Sequence, residues 1–254
     1  MPATEVPCPS PLALHPSEWK LRWSLALNLA TLGSELLGFA LAIGFSPLHI
    51  ALLLLLLVGA DPLRRGGWFV AGWLVISALE VALLLTVGHG LLLSMDKGTS
   101  HRTGLDLLAA GVLLGVGMKQ LLDRKEGTGA PAWAGQLDRF GAMPLLPLLG
   151  LSAVVQVISP DDVFLYAKAS CELLASGLGQ GQELLVGGLF SLATGLLLLV
   201  PFLAVRLLGQ QRVQPALLWG KQWLFANADP IVAVASLLLA VYFGWQGVEG
   251  LQLS

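Results

Sequence analysis

The chain has 254 residues, of which 56% are hydrophobic and 12% charged, with a net charge of −2 and a mean hydropathy of +0.78. Ordinary globular proteins are about one quarter charged, so this composition excludes a soluble enzyme or a disordered regulator. The charge balance supplies no basic field for phosphates, which rules against nucleic acid as a partner, and Cys8 and Cys171 lie in no CxxC spacing, so they make neither a disulfide framework nor a zinc site.

The first sixteen residues hold five of the fourteen prolines and no apolar run of signal-peptide length, which predicts an extended tail. Ser17 to Ala30 turns helical, with Trp19, Lys20, Arg22 and Trp23 ahead of apolar residues, as at a membrane interface. Beyond it, stretches of about 20 apolar residues with few charges predict transmembrane helices. The spans fall at 31–59, 66–90, 104–122, 143–173, 184–208 and 229–250. A charged cluster, Asp123 to Glu126, and a Gly- and Pro-containing loop separate two halves. The resulting division is a tail and interfacial helix (1–30), a first three-helix repeat (31–122), a cytoplasmic linker (123–142) and a second three-helix repeat (143–254).

With the N-terminus on side one, nine Lys and Arg fall on side two: Arg64, Arg65, Lys119, Arg124, Lys125, Arg139, Arg206, Arg212 and Lys221. Side one holds four, Lys20, Arg22, Lys97 and Arg102, and Lys168 lies within a span. The positive-inside rule then makes side two cytoplasmic and places both termini away from it.

Ser46-Pro47 in the first span and Ser159-Pro160 in the fourth occupy matching places, and each precedes a span that begins with glycines. Three spans per half is an odd number, so the second half enters the membrane inverted. A mid-span proline removes a donor and clashes with the turn before it, which predicts a broken first helix in each repeat. Paired broken helices at a repeat interface point to a transporter's midplane site. The fold predicted is an all-α polytopic membrane protein of six transmembrane helices in two inverted three-helix repeats.

The candidate substrate- or ion-binding residues are Ser46, Pro47, His49, Glu80, Gln156, Ser159, Pro160, Asp161, Asp162 and Lys168. Asp161 and Asp162 follow the second break, and a mid-helix aspartate costs about 2.5–3.5 kcal/mol on insertion scales unless water, a partner, a proton or a cation compensates. The alternative is a shifted span with both in a wet vestibule. Glu80, mid-span and without a local partner, must face the bundle interior, either in an ion pair with His49 or Lys168 or as a coupling group. His49 takes the place of Asp162 in the repeat alignment and is either hydrogen-bonded packing or a partner of Asp162 across the pseudo-two-fold. Such a pair suits proton coupling or a divalent cation, with Asp161, Asp162 and His49 as metal candidates. Glu35 is a secondary candidate, His89 and His101 read as interfacial or loop residues, and Asn227-Ala228-Asp229-Pro230 reads as a helix stop and restart capped by Asp229. Gly111-x-x-x-Gly115 reads first as close packing within the chain, with packing between subunits, and so a homo-oligomer, as the alternative. No phosphate loop or nucleophile elbow is present, so no enzymatic activity and no cofactor are expected.

Phe45-Ser46-Pro47-Leu48-His49-Ile50 with its following leucine run, then Asp61-Pro62-Leu63-Arg64-Arg65-Gly66-Gly67-Trp68 on to Trp73, resembles the first repeat of the GAP family, the peptidoglycolipid and sulfolipid addressing proteins of the LysE translocator superfamily. Val200-Pro201, Leu217 through Trp223 to Asn227, and Gly244 to Leu251 are similar to its later landmarks. The resemblance spans about residues 31–251. It implies a LysE-like fold in a bacterial-type plasma (inner) membrane and export of a small molecule or lipid-type amphiphile, with membrane lipids as partners. At the second break the family carries an Asn-Pro-Lys type sequence where this chain has Ser159-Pro160-Asp161-Asp162, so an anionic head would be repelled there unless Lys168 or protonation compensates. Two other readings stand beside export. One is a proton-coupled or divalent-cation carrier using Asp161, Asp162, Glu80 and His49. The other is a non-transporting membrane assembly factor whose tail or 123–142 loop binds partners.

Overall fold

The computed structural model describes residues 16–59, 61–90, 99–123 and 144–253, and their regular structure is entirely helical. The Pro-rich tail to residue 15 and the linker beyond Asp123 lie outside the described residues. The helices are α1 (Pro16–Gly44), α2 (Pro47–Val58), α3 (Pro62–Gly90), α4 (Ser100–Asp123), α5 (Leu145–Ile158), α6 (Pro160–Ala175), α7 (Gln180–Thr194), α8 (Leu196–Leu208) and α9 (Gln210–Leu253).

Among the described residues, α3, α4 and α9 are each long and apolar enough to cross a membrane. Two further spans result if α1–α2, taken from Leu29, and α7–α8 each count as one, both being bent by 59°. The α5–α6 unit carries Asp161, Asp162, Lys168 and Glu172, and its charges turn inward: Asp162 is 2% exposed and Lys168 1%. The outer surface has the opposite character, with Leu185 64%, Val241 72% and Trp245 74% exposed. Charges inside and large apolar side chains outside are the arrangement a bilayer demands. The protein is a multi-pass membrane protein.

The two halves pack crosswise. α1 lies on α7, α5 and α6 lie on α3, and α4 runs along α9. Each half's broken unit therefore rests on the other half's second helix, and the two third helices rest on each other. Trp73, Phe69, Leu52, Leu53, Leu57 and Tyr166 form the centre of the core.

Four expectations change. The chain breaks a third time, at Gly195 between α7 and α8. A Cβ there would lie 2.6 Å from Leu74 Cδ2, so glycine lets α3 approach closely where the helix turns. The stop and restart at Asn227 to Pro230 does not occur, since α9 passes through Pro215 and Pro230 without a break. Asn227 Nδ2 donates to Trp223 O at 2.7 Å, and α4, α2 and α8 brace the helix from outside. At 44 residues, α9 is about 66 Å long, twice the ~30 Å of hydrocarbon, so only part of it spans. Gly111 and Gly115 have nothing within 4 Å of a built Cβ, whereas Gly117 and Gly247 abut Leu237 and Leu107; the close approach of α4 and α9 uses the glycines outside the GxxxG.

Candidate functional site

Both serine-proline breaks form, and with nearly the same backbone. Ser46 has φ −71°, ψ 113° and Ser159 φ −70°, ψ 108°. The residue before proline is driven to extended geometry, and Pro47 and Pro160 then begin α2 and α6, where their missing N–H costs nothing. The first helical bonds also correspond: Ile50 N donates to Ser46 O and Val163 N to Ser159 O, each at 3.1 Å.

The two new helix starts differ in charge. α2 has no acidic residue in its first turn. α6 has Asp161 and Asp162 in its first turn, two acids at the positive end of the helix. Ser46 does not cap α2 with its side chain; its Oγ lies 2.7 Å from His49 Nδ1.

The breaks border a common cavity of about 230 Å³. Phe45, Ser46 and Pro47 line it from one half, Asp161 and Leu165 from the other, and α9 closes it with residues from Ile231 to Leu239. A second, wider space of about 470 Å³ shares Phe45, Ile231, Ala235 and Leu238 and continues outward past Trp223, Asn227 and Val234. Phe45, Trp223, Val234 and Leu238 are exposed on the apolar surface, so the two adjoining spaces form a groove region that lies between the breaks and the lipid-facing side.

A buried polar cluster connects α3, α5, α6 and α7. Gln156 Nε2 donates to Ser77 Oγ and Tyr166 OH, both at 2.8 Å, and Tyr166 OH donates to Ser77 Oγ at 2.7 Å. Thr194 gives its proton to Ser191 O at 2.8 Å and accepts from Trp73 Nε1 at 3.3 Å. The ring of Trp73 meets that of His49 edge-on at 4.2 Å. Beside these bonds several buried atoms have no protein partner: Glu80 Oε2, Asp162 Oδ2, Gln156 Oε1 and His49 Nε2. Asp162 lies within electrostatic reach of both Glu80 and Asp161.

Lys168 belongs elsewhere. Its Nζ donates to Asp106 Oδ1 at 2.7 Å and lies 3.5 Å from Glu172 Oε1, while Arg102 Nη2 donates to Glu172 Oε1 at 2.6 Å. Arg102 and Asp106 on α4 face Lys168 and Glu172 on α6, two cations and two anions that neutralise one another, all less than 9% exposed. A space of about 40 Å³ lies beside them, lined by Arg102, Thr103, Asp106, Gln246 and Glu249 among others.

Several expected pairings are thereby corrected. Lys168 is committed to Asp106 and Glu172, so it compensates neither Glu80 nor the aspartates after the break. His49 Nε2 has no partner, so it reaches neither Asp162 nor Glu80. Among the described residues no three His, Cys, Asp or Glu side chains come together as a metal site requires, and Asp161, Asp162 and His49 do not assemble one. Arg102 sits inside α4 rather than in a loop. His89 at the end of α3 reaches across to buried Glu183 on α7 at 2.6 Å. Ser77, Tyr166, Thr194 and the four-charge network carried no sequence expectation. The i,i+4 spacing of Arg102 with Asp106 and of Lys168 with Glu172 is the one signal that pointed to them.

A family model described as Sap, sulfolipid-1-addressing protein, matches residues 36–249, most of the chain and both breaks. No curated protein and no solved structure matches.

Proposed function

The chain belongs to the sulfolipid-1-addressing protein family, and from that premise we propose that it exports a lipid-type amphiphile whose polar head sits between the Ser46-Pro47 and Ser159-Pro160 breaks. Family and multi-pass fold agree on a membrane transport or addressing role. The observation that carries the finer reading is the pair of adjoining spaces, with Ser46 and Asp161 at the breaks and mainly apolar residues of α9 along the rest, which suits an amphiphile.

In this reading α5–α6 is the sixth span, and the halves are the inverted three-helix repeats of a LysE-like transporter in a bacterial-type plasma membrane. The boundaries proposed are 31–122 and 143–254, with 1–30 ahead of them and a cytoplasmic linker at 123–142. The crosswise packing of the halves supports this arrangement. Alternating access then consists of one broken unit rocking on the other half's second helix.

A second reading concerns what drives the movement. Glu80 Oε2 and Asp162 Oδ2 are buried acceptor atoms with no protein partner, and an intramembrane carboxylate so placed suits a proton that is taken up and released in each cycle. Proton coupling is compatible with amphiphile export and uses different residues from the groove.

The test is transbilayer movement of a fluorescent lipid in vesicles containing the purified protein. Ala235→Trp, which fills the groove, is expected to stop movement while the protein stays folded. Undiminished movement in that variant removes the groove from the pathway.

A further inference from the structure

The groove also states what kind of head it accepts. Among the described residues its lining includes one charged side chain, Asp161, at the inner end next to Ser46, and no lysine or arginine. The nearby cation that could have offset this acid, Lys168, is held by Asp106 and Glu172. The α6 start already carries two acids, Asp161 and Asp162, in its first turn, at the positive end of the helix. Asn227, at the outer end, donates from its amide nitrogen to Trp223 O. The polar side chains of the lining are Asp161, Ser46, Ser236 and Asn227, and of these the Asp161 carboxylate alone can only accept.

Resting on the amphiphile reading above, we propose that the groove selects membrane lipids whose heads carry hydrogen-bond donors and no negative charge, and that Asp161 rejects sulfated or phosphorylated heads. An anion brought beside Asp161 in a low-dielectric groove meets repulsion with no compensating cation, whereas a hydroxyl or ammonium donates to it.

Galactosylceramide and its 3-sulfated form, sulfatide, share one sugar and one pair of chains and differ by the sulfate. Native mass spectrometry of the purified full chain, titrated with each lipid at neutral pH, is expected to show galactosylceramide retained at least about tenfold more strongly, equivalent to ~1.4 kcal/mol. Stearylamine as a third probe separates the two donors: retention like that of galactosylceramide means that an ammonium suffices, and its absence means that hydroxyls are required. In Asp161→Asn, with an unchanged melting temperature, the discrimination is expected to fall to about twofold or less. Sulfatide bound as tightly as galactosylceramide by the wild type overturns the proposal, with no variant needed. Discrimination that survives Asp161→Asn overturns Asp161 as its source. Retention of neither lipid, with Ala235→Trp changing nothing, removes the groove as a lipid site and takes the amphiphile reading with it.

Discussion

Lys168 is the side chain on which most buried charge depends. It contacts both anions of the α4–α6 network, at 2.7 and 3.5 Å, and without it Arg102 alone faces two buried carboxylates. Removing one partner of a buried pair costs about 3–5 kcal/mol, so Lys168→Met is expected to lower the melting temperature in detergent sharply. Lys168→Met combined with Asp106→Asn restores neutrality and is expected to recover part of the loss. A double variant no more stable than the single one would mean that packing, rather than charge, sets the cost. Glu80 and Asp162 behave differently because nothing among the described residues pairs with their Oε2 and Oδ2 atoms. Glu80→Gln and Asp162→Asn remove no ion pair, so each is expected to leave melting within about 1 kcal/mol of wild type while abolishing pH-driven lipid movement in vesicles. Retained movement under a pH gradient in both variants eliminates the proton-coupled reading. That Glu80 and Asp162 are intramembrane acids was readable from the sequence; their separation from Lys168 was not, because a partner 62 residues away in the chain, Asp106, is invisible to local spacing.

At the scale of the element, the breaks are written into the chain by proline, which acts on its own backbone and on the residue before it. Ser46-Pro47 and Ser159-Pro160 were legible for that reason. The bend at Gly195 was not, since glycine permits a turn without requiring one, and the close approach of Leu74 on α3 to that position is a contact between distant parts of the chain. Asn227 to Pro230 shows the converse: a local stop signal is overridden where neighbouring helices support the backbone on both sides of a proline. Gly44, the last residue of α1, tests how tightly the first break is held. A Cβ there would stand 2.6 Å from the backbone oxygen of Thr194, which cannot swing aside, so Gly44→Ala is expected to destabilise by about 1–3 kcal/mol. Gly38→Ala in the same helix has open space and is expected to be neutral or stabilising by up to about 1 kcal/mol. Equal melting temperatures for the two variants would show that the α1–α7 contact is looser than this.

For the whole molecule, orientation follows from charge. The proposed orientation rests on the Lys and Arg count, nine against four, of which Arg102 is buried in α4. With Cys8 and Cys171 replaced, a cysteine at Leu63 is expected to react with a membrane-impermeant maleimide only after the membrane is opened, and one at Ser176 in intact cells. Labelling of both from the same side contradicts the proposed topology. The apolar membrane-embedded character and the two proline breaks were determined by the sequence alone, because hydropathy and proline stereochemistry act within a few residues of themselves. The tertiary structure alone decided which buried charges meet, where the third bend falls, and that a groove leads from the breaks to the lipid-facing surface. Those features are set by side chains from different helices brought together across the fold, and no window of sequence contains both partners.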